Sequence, residues 1–248
     1  MTELISDVKK HTTFSPSFFL WMTLSMAFFI FSGFGITYLQ PMTAGTGQPY
    51  PPVVHLHGIF FFSWILLLVV QAFLINIHNV KLHRTLGTFG IVIASGVILM
   101  GAMVSILFAG SQIDAPIPDF YNLMYLAVGA VIGFSALFCF AIRNVRTPDS
   151  HKRFILYATI ILLPPGINRL YMATFGLVDL PVLATYLTMD ALVVAILVYD
   201  WRTQGTFSKA SQIGALVVVM PQLLHPMLAS ATPFIEFYEF LASLSYYR

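Results

Sequence analysis

The sequence contains little of what soluble and disulfide-bonded proteins are built from. Only 9% of its 248 residues are charged, and Cys139 is its only cysteine. A single cysteine excludes an intrachain disulfide framework, a CxxC redox motif and a cysteine cluster for zinc or iron–sulfur, and it leaves the redox compartment open. The low charge, together with a hydrophobic fraction of 58%, excludes an ordinary soluble domain.

Long apolar runs, by contrast, recur from one end of the chain to the other. An apolar run of about 20 residues is long enough to cross a bilayer as a helix. We therefore predict an all-α fold, a bundle of seven transmembrane helices that forms a single domain over residues 1–248. The first run is too long for a signal-peptide core, so we expect it to be retained. The predicted spans lie near residues 17–39, 53–77, 86–109, 121–142, 153–175, 182–200 and 211–230.

The positions of the charges predict an orientation. The N-terminus and alternate loops carry Lys9, Lys10, Lys81, Arg84, Arg143, Arg146, Lys152, Arg153, Arg202 and Lys209. The intervening loops carry Asp114, Asp119 and Asp179 but no lysine or arginine. The positive-inside rule then predicts an inside N-terminus and an outside C-terminus. The last segment, ATPFIEFYEFLASLSYYR, mixes aromatic residues with two glutamates, which is typical of a short interfacial helix at the outer surface.

Polar residues recur every seven positions along the second span, which opens with VVHLHGIFFFSW. His57, Trp64, Gln71 and His78 drift by only about 20° per heptad on an ideal helix, so we expect them to share one stripe. Such a stripe is predicted to face the bundle interior. Hydrogen bonding between helices is the favoured interpretation for Gln71 and Trp64. His55 lies on another face or caps the helix.

The fifth span contains a break, in LLPPGINRLYM. Pro164, Pro165 and Gly166 cannot continue a regular helix. A broken membrane helix is tolerated where it is buried in protein or lines a cavity. Asn168 and Arg169 follow directly, which suits an anionic or carbonyl-bearing ligand at the start of the outer half-helix. A simple kink, with Arg169 reaching the outer interface, is the equally open alternative.

Ionisable residues also occur within the sixth and seventh spans, as Asp190 and His225. From the predicted span boundaries, His57, Arg169, Asp190 and His225 fall at one level in the outer half of the bundle. We expect them to converge on a buried site there, with a salt bridge between Arg169 and Asp190.

The inner face has a second group of polar residues. Its members start two outward-running spans and are His83, Arg84, His151, Lys152 and Arg153. Anchoring contacts with lipid phosphates are one interpretation, and a site for a cofactor propionate or an anionic head group is the other. Asp200 is expected to pair with Arg202 or with one of these basic residues.

The motifs HGIFFFSWILLLVVQAFLI, LHRTLGTFG, SHKRFILYATIILL, INRL and VYDWRTQGTF cover most of residues 57–210. With them the chain resembles a family of small bacterial multi-pass membrane proteins to which no activity is assigned. The resemblance implies a location in the bacterial cytoplasmic membrane, and His225 lies outside the family's pattern. It implies the positions to watch, which are His57, Trp64, Gln71, His83, Arg84, His151, Arg169, Asp190 and Asp200.

Among functions, binding of a metal or haem in a redox role is the first hypothesis. Histidines on separate helices are suited to ligate haem b. A transition-metal ion held by His57, Asp190 and either His55 or His225 is the second form of this hypothesis.

Three alternatives stay open. An intramembrane zinc hydrolase resembling ceramidases and adiponectin receptors has seven spans, but this chain lacks HxxxH in its last span. A binding or transport module for a small molecule is the second alternative, and an accessory subunit is the third. Membrane lipid is the expected partner, with a homo-oligomer or partner subunit left open, and no nucleic acid is expected.

Overall fold

The computed structural model describes residues 16–47, 49–112, 120–177, 179 and 181–245. The regular structure within these ranges is helical and contains no β-strand, which confirms the predicted all-α class. Several charges used in the orientation argument lie outside the described residues. These are Lys9, Lys10, Asp114 and Asp119.

The α-helices of the described ranges are α1 (Phe18–Phe34), α2 (Gln40–Thr43), α3 (Pro52–Asn76), α4 (Val80–Ser111), α5 (Phe120–Arg143), α6 (Pro148–Ile160), α7 (Pro164–Phe175), α8 (Val182–Gln204), α9 (Lys209–Leu228) and α10 (Thr232–Ser243). A π-helical turn, Gly35–Leu39, joins α1 to α2.

Within the described residues, six helical segments are long and apolar enough to cross a membrane, and there are seven if α6 and α7 form one bent span. The chain is thus a multi-pass membrane protein. The predicted spans fall on these helices, but α4 begins six residues earlier than its predicted boundary. The reason is local, because the Asn79 side chain accepts a hydrogen bond from the Leu82 amide and caps a helix that starts at Val80. The LHRTLG segment is therefore helical.

The predicted break in the fifth span is confirmed. The α6 helix ends at Ile160, and α7 starts at Pro164 after a bend of 45°. Proline is well suited to the first turn of a helix, where its missing amide hydrogen is not needed. Gly166 lies against the backbone of α1 near Phe29 and Ile30, so the broken helix is buried in protein.

The predicted C-terminal helix is present as α10. Its Tyr238 and Ala242 pack with Ala109 of α4 and with Phe120 and Met124 of α5. This small cluster is separate from the main core, which runs through the centre of the bundle. The α10 helix therefore covers the ends of α4 and α5.

The basic end of the bundle is where α3 turns into α4, α5 into α6 and α8 into α9. Its basic residues are Lys81, Arg84, Arg143, Arg146, Lys152, Arg153, Arg202 and Lys209. The other end is called the opposite end below.

Candidate functional site

His57, Arg169, Asp190 and His225 do not form the single site that the sequence predicts near the opposite end. His57 lies within hydrogen-bonding reach of the Met100 carbonyl on α4 and packs against Phe61, with 4.2 Å between ring centroids. His225 lies on α9 and contacts α8 and α5 instead. Its Nδ1 is 2.7 Å from the Tyr186 hydroxyl, and its ring stacks on Tyr125. The predicted convergence of His57 and His225 is wrong.

The predicted salt bridge between Arg169 and Asp190 is also not formed. Arg169 donates to the Thr37 hydroxyl at 3.4 Å and lies over the Phe34 ring, 4.8 Å from its centroid. Asp190 instead lies within reach of the Gln222 side chain. Both contacts of Arg169 are on α1 and its π-helical turn, because α7 packs along α1 after the break. The guanidinium and the carboxylate therefore face different helices.

The remaining opposite-end candidates make structural contacts. The Tyr38 hydroxyl is hydrogen-bonded to His55, and the Thr185 hydroxyl to Asn168. No group of three or more histidine, cysteine, aspartate or glutamate side chains is placed to hold a metal ion in the described part of the chain. The ligand set of His57, Asp190 and His55 or His225 is therefore not assembled.

The predicted interior position of the α3 stripe is correct for Trp64 and Gln71 and wrong for His78. Trp64 is buried, and its indole N–H donates to the Thr159 hydroxyl at 3.2 Å. Gln71 is half-buried one turn from the end of the helix. His78 is exposed beyond the end of α3 with a φ of 62°, so it belongs to the turn and not to the stripe.

Near the basic end, Trp64 and Gln71 line a half-enclosed cavity of about 290 Å³. Five helices form its walls. Its lining residues are Ser17, Phe19, Thr23, Trp64, Leu67, Leu68, Gln71, Ala72, Ile75, His83, Gly87, Gly90, Phe138, Ile142, His151, Lys152, Ile155 and Leu156. We call this space the basic-end cavity.

Most of the cavity wall is apolar, and the polar groups are few. Gln71 on α3 and His83 on α4 both contribute buried atoms without hydrogen-bond partners, Gln71 Oε1 and His83 Nδ1. Buried polar atoms are normally satisfied, so each such atom calls for an explanation. An apolar pocket with a few convergent polar groups is the usual form of a small-molecule site.

The two cavity histidines come from different turns of the chain. The Asn79 cap places His83 in the first turn of α4, and Pro148 places His151 in the first turn of α6. The His151 Nδ1 is 2.9 Å from the Ala141 carbonyl oxygen, and His83 lies within reach of the Gln71 carbonyl. The two rings are close enough to interact electrostatically. The protein thus positions both rings through backbone carbonyls.

Of the other inner-face candidates, Arg84 and Arg153 do not line the cavity. Arg84 is exposed. Arg153 is buried in an ion pair with Asp200, with 2.8 Å between Arg153 Nε and Asp200 Oδ1. The expected pairing of Asp200 with a basic residue is therefore confirmed for Arg153, which is not available to an anionic group. Lys152, which lines the cavity, is itself paired with Asp149 at 2.5 Å.

Most of the polar residues that line the cavity are candidates in the sequence-based prediction, but there they belong to two separate regions. Gln71 and Trp64 were grouped with the outer histidines, and His83 and His151 with the inner basic cluster. The contribution of α1, through Phe19 and Thr23, was missed. One feature of the sequence indicates that Gln71 and His83 belong to the same region. They lie on either side of one short turn, so they lie at similar depth.

Comparison with protein-family models, with curated proteins and with solved structures finds no match to this chain. The geometry of the cavity is therefore the basis for a functional proposal.

Proposed function

We propose that this chain is a protein of the bacterial cytoplasmic membrane that binds a small, mainly apolar molecule in the basic-end cavity. The carrying observation is that Gln71 Oε1 and His83 Nδ1 are buried, without a hydrogen-bond partner among the described residues, in a mainly apolar lining. An unsatisfied buried polar group costs about 1–3 kcal/mol. A ligand whose polar head pairs with one or both of these atoms offsets the cost of each atom that it pairs with, while its apolar body fills the rest of the cavity.

The size of the cavity limits the ligand. At about 290 Å³ it is at the lower end of the usual range for ligand sites, which is roughly 300–1,000 Å³. A single ring or a short chain fits inside. Because the cavity is half-enclosed, a longer apolar tail can extend from it between the helices into lipid.

Filling the cavity is expected to remove the ligand. Gly87 lines the cavity, and a Cβ built there meets only Gln71 Nε2, at 3.6 Å, so leucine at this position projects into the space. We expect solvent extracts of purified wild-type protein to contain an apolar molecule in stoichiometric amount by mass spectrometry, and Gly87→Leu to lose most of it. Thr88→Leu is the matched control, because Thr88 is exposed on the same helix. Equal amounts in Gly87→Leu and wild type contradict the proposal.

Haem or metal binding is the second candidate, and one observation favours it. His83 and His151 line one cavity, and each ring is within reach of a backbone carbonyl, which is how metal-ligating histidines are commonly oriented. The same purified sample decides between the candidates. A Soret band or stoichiometric metal that disappears in His151→Ala supports this candidate, and a colourless, metal-free sample contradicts it.

We also propose that the basic end faces the cytoplasm, with the N-terminus inside and the C-terminus and α10 at the outer surface. The support is the concentration of lysine and arginine at that end. With Cys139 changed to serine, we expect a membrane-impermeant maleimide on intact cells to label Ser230→Cys at the opposite end and not Gln204→Cys at the basic end. Both positions are exposed, so the reverse pattern refutes this orientation.

A further inference from the structure

We infer that the molecule bound in the basic-end cavity has a neutral hydroxyl head, as a phenol, a quinol or an alcohol does, and not a carbonyl or ether head. This inference rests on the proposed function, since it concerns the ligand of the same cavity. Its basis is that Gln71 Oε1 and His83 Nδ1, the buried lining atoms without a partner among the described residues, and the His151 ring are suited to accept a hydrogen bond.

For His83, the argument comes from its backbone contact. The ring lies within reach of the Gln71 carbonyl, while Nδ1 has no partner. A carbonyl oxygen only accepts hydrogen bonds, so the contact, together with the unpaired Nδ1, favours the neutral tautomer that has its proton on Nε2. The unpaired Nδ1 then carries a lone pair, and it is satisfied only by a donor.

For His151 the same reasoning selects the other tautomer. Its Nδ1 is 2.9 Å from the Ala141 carbonyl oxygen, so the proton belongs on Nδ1. The Nε2 of the neutral ring is left as an acceptor. The backbone thus sets opposite tautomers in the two rings, and both rings leave an acceptor for the ligand.

Gln71 adds a third acceptor. Its Oε1 is buried without a partner, whereas its Nε2 is directed toward Gly87 on α4, 3.6 Å from where a Cβ would lie. A carbonyl or ether oxygen on a ligand cannot satisfy these atoms, because two acceptors facing each other repel. A hydroxyl donates its hydrogen to one of them.

The charge around the cavity decides between a hydroxyl and a cationic donor such as an ammonium group. Lys152 lines the cavity, and among the described residues no carboxylate does. Asp149, which pairs with Lys152, is largely exposed to solvent. A cationic head would therefore be repelled without a compensating carboxylate, so a neutral donor is favoured.

The test compares 4-butylphenol with its methyl ether, 4-butylanisole, on delipidated protein in detergent, with binding measured by calorimetry. The two probes differ only in the donor hydrogen. Leaving a buried acceptor unpaired costs about a factor of ten in affinity, so we expect the wild type to favour the phenol by about tenfold or more. His83→Phe and Gln71→Leu each remove one acceptor, and the preference is expected to fall several-fold in the variant that lacks the acceptor to which the hydroxyl donates. Comparing the ratio between proteins cancels the different partitioning of the probes into micelles.

The outcomes separate the two proposals. If the ratio of phenol to ether affinity is the same in wild type and both variants, or if the ether is preferred, the hydroxyl inference is overturned. The cavity remains a ligand site in that case, provided that Gly87→Leu abolishes binding of the probes. If binding is absent in wild type, or is unaffected by Gly87→Leu, the proposed function itself fails.

Discussion

Asp200→Asn is expected to lower the thermal inactivation midpoint of the detergent-purified protein by about 10 °C. The side chains of Arg153 and Asp200 are almost wholly inaccessible to solvent, with relative exposures of 1% and 0%. Removing one partner of a buried ion pair costs about 3–5 kcal/mol, because the other charge is left uncompensated. For a chain of this size each kcal/mol corresponds to about 2–4 °C.

The ion pair joins three parts of the fold, which is why the effect is expected to be global. Arg153 on α6 donates through Nε and Nη2 to Asp200 on α8, and through Nη1 to the Asp149 carbonyl at 2.7 Å. The other oxygen of Asp200 accepts from the Ser208 amide at 3.1 Å. Ser208 is the N-cap of α9. The pair therefore sets where α9 begins.

Two further variants make the prediction specific. Arg153→Leu combined with Asp200→Leu is expected to be less destabilised than either single change, because no charge is stranded. Asp149→Asn is the control, since this side chain is 75% exposed and exposed pairs contribute about 1 kcal/mol or less. Midpoints come from the fraction that stays monodisperse in size-exclusion chromatography after heating. An Asp200→Asn protein as stable as Asp149→Asn contradicts the prediction.

Gly33→Ala is the second change with a large expected effect. A Cβ on Gly33 would lie 2.1 Å from the Gly166 carbonyl oxygen and 2.9 Å from its carbonyl carbon. These are backbone atoms of α7, so no side-chain rotation relieves the overlap and the two helices must separate. Overpacking of this kind costs up to about 3 kcal/mol, which corresponds to about 10 °C in the same heating assay.

Gly35→Ala provides the matched control, two residues further along the chain. A Cβ at Gly35 meets no atom within 4 Å, and the residue has helical dihedral angles. Alanine is favoured over glycine in a helix by about 0.5–1 kcal/mol, so this variant is expected to be as stable as wild type or slightly more stable. If Gly33→Ala and Gly35→Ala have equal midpoints, the close approach of α1 and α7 is not present in the purified protein.

The Gly33–Gly166 contact and the Arg153–Asp200 ion pair also explain why the proposed ligand site is at the basic end. The Gly33–Gly166 contact holds α7 along α1, which directs Arg169 toward Phe34 and Thr37 and away from Asp190. The Arg153–Asp200 pair withdraws the most buried cation of the basic end from ligand binding. The cavity is left with two imidazoles, an amide and the Lys152 ammonium group.

The membrane class, the approximate spans and the break at Pro164 could all be predicted from the sequence, because each depends on local properties. The length of an apolar run shows whether it can cross the bilayer, and the count of such runs gives the number of crossings. Proline ends a helix because it lacks the amide hydrogen.

Which polar residues contact each other could not be predicted in this way and depends on how the helices pack. Depth along a helix does not specify the direction in which a side chain points, and that direction is set by how neighbouring helices pack. Asp190 and Arg169 were predicted at similar depth yet face different neighbours, whereas Gln71, His83 and His151 were assigned to separate regions yet line one cavity. The rotation of each helix follows from contacts between distant segments, such as Gly33 with Gly166, and no pattern within a single span contains that information.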